Sequence, residues 1–177
     1  MTNAIFMASV LAGALATTPA LAETRQSPAP CEGSAVHDML DFSIGDWDIL
    51  VNGKSVAWIT LEKDGRNCLI REQYGVPANG QAGAGMDYWD DAANIWRRIL
   101  VTSVGTVETF EGFKVGEKFV WNGREKRANG ETVLERVEIW PEGENVRNDI
   151  YQSRDAGAIW ILVGSETRAP RMRNAGQ

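Results

Sequence analysis

Four charged residues, Glu72, Arg98, Arg136 and Arg147, stand inside otherwise apolar, strand-like stretches. An unpaired charge buried among apolar neighbours is costly. Any of the four that faces inward must therefore pair with another or with a ligand. An inward arginine suits a ligand bearing an acid group, through charge-assisted hydrogen bonds. Tyr88 and Trp96 join them as aromatic lining, because small-molecule sites combine apolar walls with a few convergent polar groups. The opposite reading is equally open, with all four charges pointing to solvent. If the cavity is an enzyme site instead, Glu72 is the acid/base candidate, since such chemistry needs a titratable group in a perturbing environment.

Other chemistries are disfavoured. One histidine, His37, and two cysteines exclude multi-histidine and four-cysteine metal sites. No cofactor or metal is expected. Gly80, Gly83 and Gly85 could suggest a phosphate loop, but a strand rather than a helix start follows them; a hairpin loop at a barrel mouth fits better. Asp90-Asp91 and the pair Asp46 and Asp48 fall at turns or strand ends, where carboxylates are solvated. The net charge is −6 and there is no Lys/Arg run, a poor match to nucleic acid or an anionic membrane surface. Seven tryptophans serve either as core packing or as an aromatic-lined cavity.

Residues 1–22 read as a secretory signal peptide. Ala4 to Ala22 carries no charge, and Ala20-Leu21-Ala22 is a small-x-small cleavage signal before Glu23. The expected location is periplasmic or secreted, with no stable membrane insertion after cleavage. Residues 23–33 form a flexible lead-in, 34–170 the domain, and 171–177 a tail. In an oxidising compartment a Cys31–Cys68 disulfide is the simplest outcome, two buried free thiols the alternative. Loop-closure entropy over 37 positions gives about 3.8 kcal/mol for such a bond.

Ser34 can cap one short helix, Ala35 to Leu40. After it no 3.6-residue period is sustained. Short β-prone runs lie near 46–51, 54–62, 68–74, 83–89, 95–103, 106–113, 117–124, 132–140, 145–153 and 159–167. The breaks carry turn chemistry, such as Asn52-Gly53, Asp64-Gly65 and Asn129-Gly130. Connections this short leave no room for crossover helices, so neighbours must pair antiparallel. The expected fold is an all-β, antiparallel up-and-down meander of about ten strands closed into a barrel, with one short N-terminal helix. A two-sheet sandwich is the open alternative. Ile159, Ile161 and Val163 share a face, as do Val133, Val137 and Ile139. Elsewhere both faces are apolar, which implies a covered outer surface.

Gly45-Asp46-Trp47, at the entry to the first strand, resembles the Gly-x-Trp opening of lipocalins and their barrel relatives. A wider pattern runs through Phe42 to Trp47, Gly65 to Glu72, Tyr88 to Trp96, Trp140 to Arg147 and Ser153 to Trp160. It looks like a family of secreted bacterial lipocalin-like (calycin-type) domains of unknown function. Ser43 and Leu100 depart from that pattern, which often has Trp there. The resemblance implies a β-barrel around a small-molecule cavity. It also implies that Trp47 plugs the closed end, with Arg168 from the last strand stacked on its ring.

The leading expectation is thus an exported lipocalin-like protein that binds a small, partly apolar and acidic molecule in its barrel. Alternatives are an isomerase or hydrolase using the cavity, or a plugged barrel acting as an interaction module, with a homodimer left open.

Overall fold

The computed structural model describes residues 31–127 and 129–171. The expected signal peptide, most of the expected lead-in and most of the expected tail lie outside the described residues. The chain forms ten antiparallel strands: β1 Gly45–Val51, β2 Lys54–Asp64, β3 Leu69–Val76, β4 Gln81–Asp90, β5 Ile95–Thr102, β6 Val107–Val115, β7 Lys118–Lys126, β8 Thr132–Glu142, β9 Asn145–Ser153 and β10 Ile161–Pro170. Each pairs with its sequence neighbours, and β1 pairs with β10 to close the barrel. The closing register sets Trp47 opposite Pro170 and Ile49 opposite Arg168. Closure satisfies every strand edge, which a sandwich would not do.

Local chemistry accounts for the turns. Asn52 and Gly53 both take positive φ, 51° and 75°, as a tight hairpin of the strand-compatible hand requires. The connection before β10 is longer than expected. Asp155 Oδ1 accepts from Ser153 Oγ at 2.7 Å and from the Ile159 N–H at 3.0 Å, and Ala156 sits at φ 58°. This loop consumes residues 159 and 160, and a bulge between Leu162 and Gly164 breaks the register. Ile159, Ile161 and Val163 therefore do not form a core face; they are exposed at the barrel rim.

The expected helix at 35–40 is also corrected. Residues 35–40 are turns, followed by a 3-10 turn at Asp41–Ser43. One four-residue step, Asp38 N–H to Ser34 C=O at 3.0 Å, is followed by three-residue steps such as Ser43 to Leu40 at 2.9 Å. Six residues are too few to sustain an α-helix. His37 Nδ1 lies 3.1 Å from Ser34 Oγ within this turn segment.

The turn segment plugs one end. Leu40 is fully buried there with Trp47, Leu61, Ile70, Trp96, Phe119, Ile139 and Val146. The Trp47 indole donates to the Ser43 carbonyl at 2.9 Å, and Lys63 pairs with Asp41 at 2.6 Å and Asp38 at 3.3 Å. A disulfide between Cys31 and Cys68 ties the plug to the β2–β3 turn.

Strand parity and register assign the inner faces. Near the plug the inward Trp47, Leu61, Ile70, Trp96, Phe119, Ile139 and Val146 are buried. Towards the other end, Tyr74, Glu108, Glu125, Glu135, Ile150, Gln152 and Glu166 also face in, yet are only half-buried. Ala57, Leu100, Thr102 and Val133, inward at the same end, are buried, so this half is only partly open. Outside, Met86, Ile99, Val101 and Val107 form an exposed apolar patch across β4 to β6.

Candidate functional site

A buried polar layer separates the plug from the open end. Asp87 on β4 stands opposite Arg98 on β5. Arg98 Nε and Nη2 donate to Asp87 Oδ1 and Oδ2 at 2.7 and 2.6 Å. Arg98 Nη2 also lies 3.1 Å from Glu72 Oε2, as an ion pair without hydrogen-bond alignment. The guanidinium carbon sits 4.4 Å from the Trp121 ring centre. Burial opposes the Arg98 charge, but Asp87 and Glu72 outweigh it and hold the group protonated. Burial pushes the Asp87 carboxyl up and Arg98 pulls it back. Two short bonds in a fork geometry mark an ionised pair.

Arg168, on β10, shares this layer and is 4 % exposed. Burial pushes its guanidinium down, Glu72 opposing and Arg98 adding to the effect. Neither its Nε nor its Nη1 makes a hydrogen bond. Asn148 on β9, also 4 % exposed, donates to Glu166 Oε2 at 2.9 Å but leaves its Oδ1 without a donor. The Trp121 Nε1–H is buried and unpaired as well. Buried polar atoms are normally satisfied by protein, ordered water or a bound group, so these orphans mark positions where water or a ligand would be held.

The open half is acidic. Glu108 on β6 stands directly opposite Glu125 on β7, and Glu135 on β8 lies on the diagonal, opposite Gly123. Glu125 accepts from Arg127 Nε and Nη2 at 3.1 and 3.0 Å. Glu135 accepts from Gln152 at 3.3 Å. Glu108 has no hydrogen bond or ion pair among the described residues. Burial, followed by Glu135, Glu125 and Glu72, pushes its carboxyl up to about 7, against a pull from Arg98. Burial pushes Glu135 up too, with Gln152 opposing.

The structure divides the six residues expected at a ligand site. Glu72 and Arg98 are inside, bound to each other. Trp96 belongs to the plug, where its Nε1–H donates to the Val36 carbonyl at 3.2 Å. Tyr88, Arg136 and Arg147 lie on outward positions. Arg136 donates to Asn122 at 3.1 Å and stacks on Trp160 at 4.4 Å. Arg147 donates to Thr167 and Ser165 at 2.8 and 3.2 Å. Tyr88 lines an outer groove of about 580 Å³ with Arg97, Thr109, Asn122, Arg124 and Trp160. Among the described residues no guanidinium stacks on Trp47; Arg168 sits opposite Ile49, one inward step further from the plug.

Sequence reasoning missed Asp87, Asn148, Glu108 and Glu135, and gave Arg168 a different setting. A signal existed for Glu135, which shares parity with Val133 and Val137. The same parity places Arg136 outside. Gly83 and Gly85 are inward positions of β4 rather than a loop, with the Tyr74 ring and Leu100 leaning over them.

No protein-family model and no curated protein matches this chain. The closed ten-strand antiparallel barrel is consistent with a lipocalin-like fold.

Proposed function

We propose that this protein is an exported lipocalin-like binder, of the secreted bacterial kind its sequence resembles, for a small, partly apolar molecule. The ligand enters the open half of the barrel and sets a polar group on Arg168, Asn148 and the Trp121 N–H. One observation carries the reading: unpaired buried donors and an acceptor lie beneath a set of half-buried side chains on the inner wall. Leu100 and Ile150 supply apolar wall. Arg98 is already engaged by Asp87 and Glu72, so it does not call for an acidic ligand.

The test is a tryptophan-fluorescence titration of the mature, oxidised protein with decanol, followed by Asn148→Leu. Saturable binding that Asn148→Leu weakens several-fold supports the reading. Absence of binding, or equal binding by the variant, overturns it.

A cavity enzyme is the second reading, favoured by Glu108. Its carboxyl titrates near neutrality, as a general acid or base should. Glu72 lies in the buried layer, 3.1 Å from Arg98.

A further inference from the structure

Resting on the binding reading above, we infer that the open half of the barrel selects a ligand that carries a positive charge, a protonated amine or a quaternary ammonium, held between Glu108, Glu125 and Glu135.

The inner wall carries Glu72, Asp87, Glu108, Glu125, Glu135 and Glu166 against Arg98 and Arg168, with Arg127 at the rim. Arg98 is consumed by Asp87 and Glu72 in the layer below. Like charges directly opposite on one sheet face repel, and Glu108 faces Glu125 in that way. Glu125 has Arg127 as counter-ion. Among the described residues Glu135 accepts a hydrogen bond only from the neutral Gln152 amide, with the Arg127 charge acting on it at longer range, and Glu108 has no hydrogen bond or ion pair. A carboxyl so placed either holds a proton or takes a cation.

A separate observation points to a ligand in the barrel interior. Arg168 and Asn148, each 4 % exposed, face into the barrel below the carboxylates with atoms left unpaired. The ligand then has two ends: an oxygen or amide near Arg168 and Asn148, and a cation nearer the rim. The carboxylates are spread over three strands, and no group of three such side chains among the described residues is placed to hold a metal ion. An organic cation fits that spread better than a metal. At the rim, the exposed Ile159, Ile161 and Val163 line a surface pocket of about 280 Å³ with Gln152, Arg154 and Asp155.

The charged and titratable groups facing Glu108 are Glu72 and Tyr74 from β3, Arg98 from β5, Glu125 with Arg127 from β7, and Glu135 from β8. Acids outnumber bases there, and burial adds to their effect, so Glu108 keeps its proton up to near-neutral pH. A cation favours the ionised form. Binding therefore displaces that proton and strengthens as the pH rises past neutrality.

Three probes share one tail and differ in head: decylamine, decanol and decanoate. Each is titrated into the mature protein at pH 6 and pH 8. The inference predicts decylamine tighter than decanol by about tenfold at pH 8, as expected for a charge-assisted contact, and decanoate weakest. It also predicts a smaller decylamine advantage at pH 6 and in Glu108→Gln. If decanol or decanoate binds as tightly as decylamine at pH 8, the inference is overturned while the binding reading stands. If none of the three binds, the binding reading itself fails and this inference with it.

Discussion

Arg98 grips Asp87 across the β4–β5 pair with two bonds of 2.7 and 2.6 Å, inside a barrel that buries Asp87 completely. Removing one member of such a pair strands the other charge away from water. Asp87→Ala is expected to destabilise the fold by about 3–5 kcal/mol. Urea denaturation checks it. A loss below about 1 kcal/mol would mean that water relieves the layer.

Glu108 should make stability fall as pH rises. Its folded carboxyl is raised to about 7 from an ordinary 4.5. Between those values the folded state holds the proton and the unfolded state does not, so folding is favoured at the acid end. That advantage is lost as pH rises through 7, by on the order of 2 kcal/mol once partial solvent access is allowed for. Glu108→Gln removes the titration. Denaturation midpoints of both proteins at pH 5 and pH 8 give the comparison. An equal gap between the two proteins at both pH values would contradict the assignment.

Gly123 faces inward with the Phe110 ring lying across it. A Cβ there would sit 2.5 Å from the Thr109 carbonyl oxygen and closer still to that ring. The backbone oxygen cannot swing away. Gly123→Ala is expected to cost about 2–3 kcal/mol through overpacking. Gly116→Ala, in an open turn at φ 60°, instead meets only backbone strain. A Gly123→Ala protein as stable as the parent would contradict the packing.

The Cys31–Cys68 bond should contribute up to about 3.8 kcal/mol for its 37-residue separation. Intact mass before and after reduction counts the two hydrogens, and thermal unfolding reads the loss. Identical unfolding temperatures would show that the plug holds without the bond.

Much of the fold was legible in the sequence because hairpins are local. Asn52-Gly53 names its own turn, and connections too short for crossovers leave only antiparallel neighbours. What failed was also local. Asp155 and Ser153 build a loop that outcompetes strand propensity at Ile159, and six residues after Ser34 could not nucleate a helix. The site was less legible, because it depends on pairing between strands. Nothing near Asp87 in the chain announces that it will face Arg98, and Arg168 meets Glu72 only once the barrel closes. Parity did hold usable information. Val133, Val137 and Ile139 define an inner face that includes Glu135 and excludes Arg136.

The central claim is that a ligand reaches the polar layer inside the barrel. The most direct measurement is the indole N–H spectrum of the protein labelled with nitrogen-15, with the Trp121 signal assigned through Trp121→Phe. Titration with decanol is predicted to shift the Trp121 resonance, whose N–H is buried and unpaired, and to leave Trp140, stacked under Lys118, in place. A Trp121 signal that stays fixed while outer tryptophans move would place the ligand outside the barrel and contradict the account.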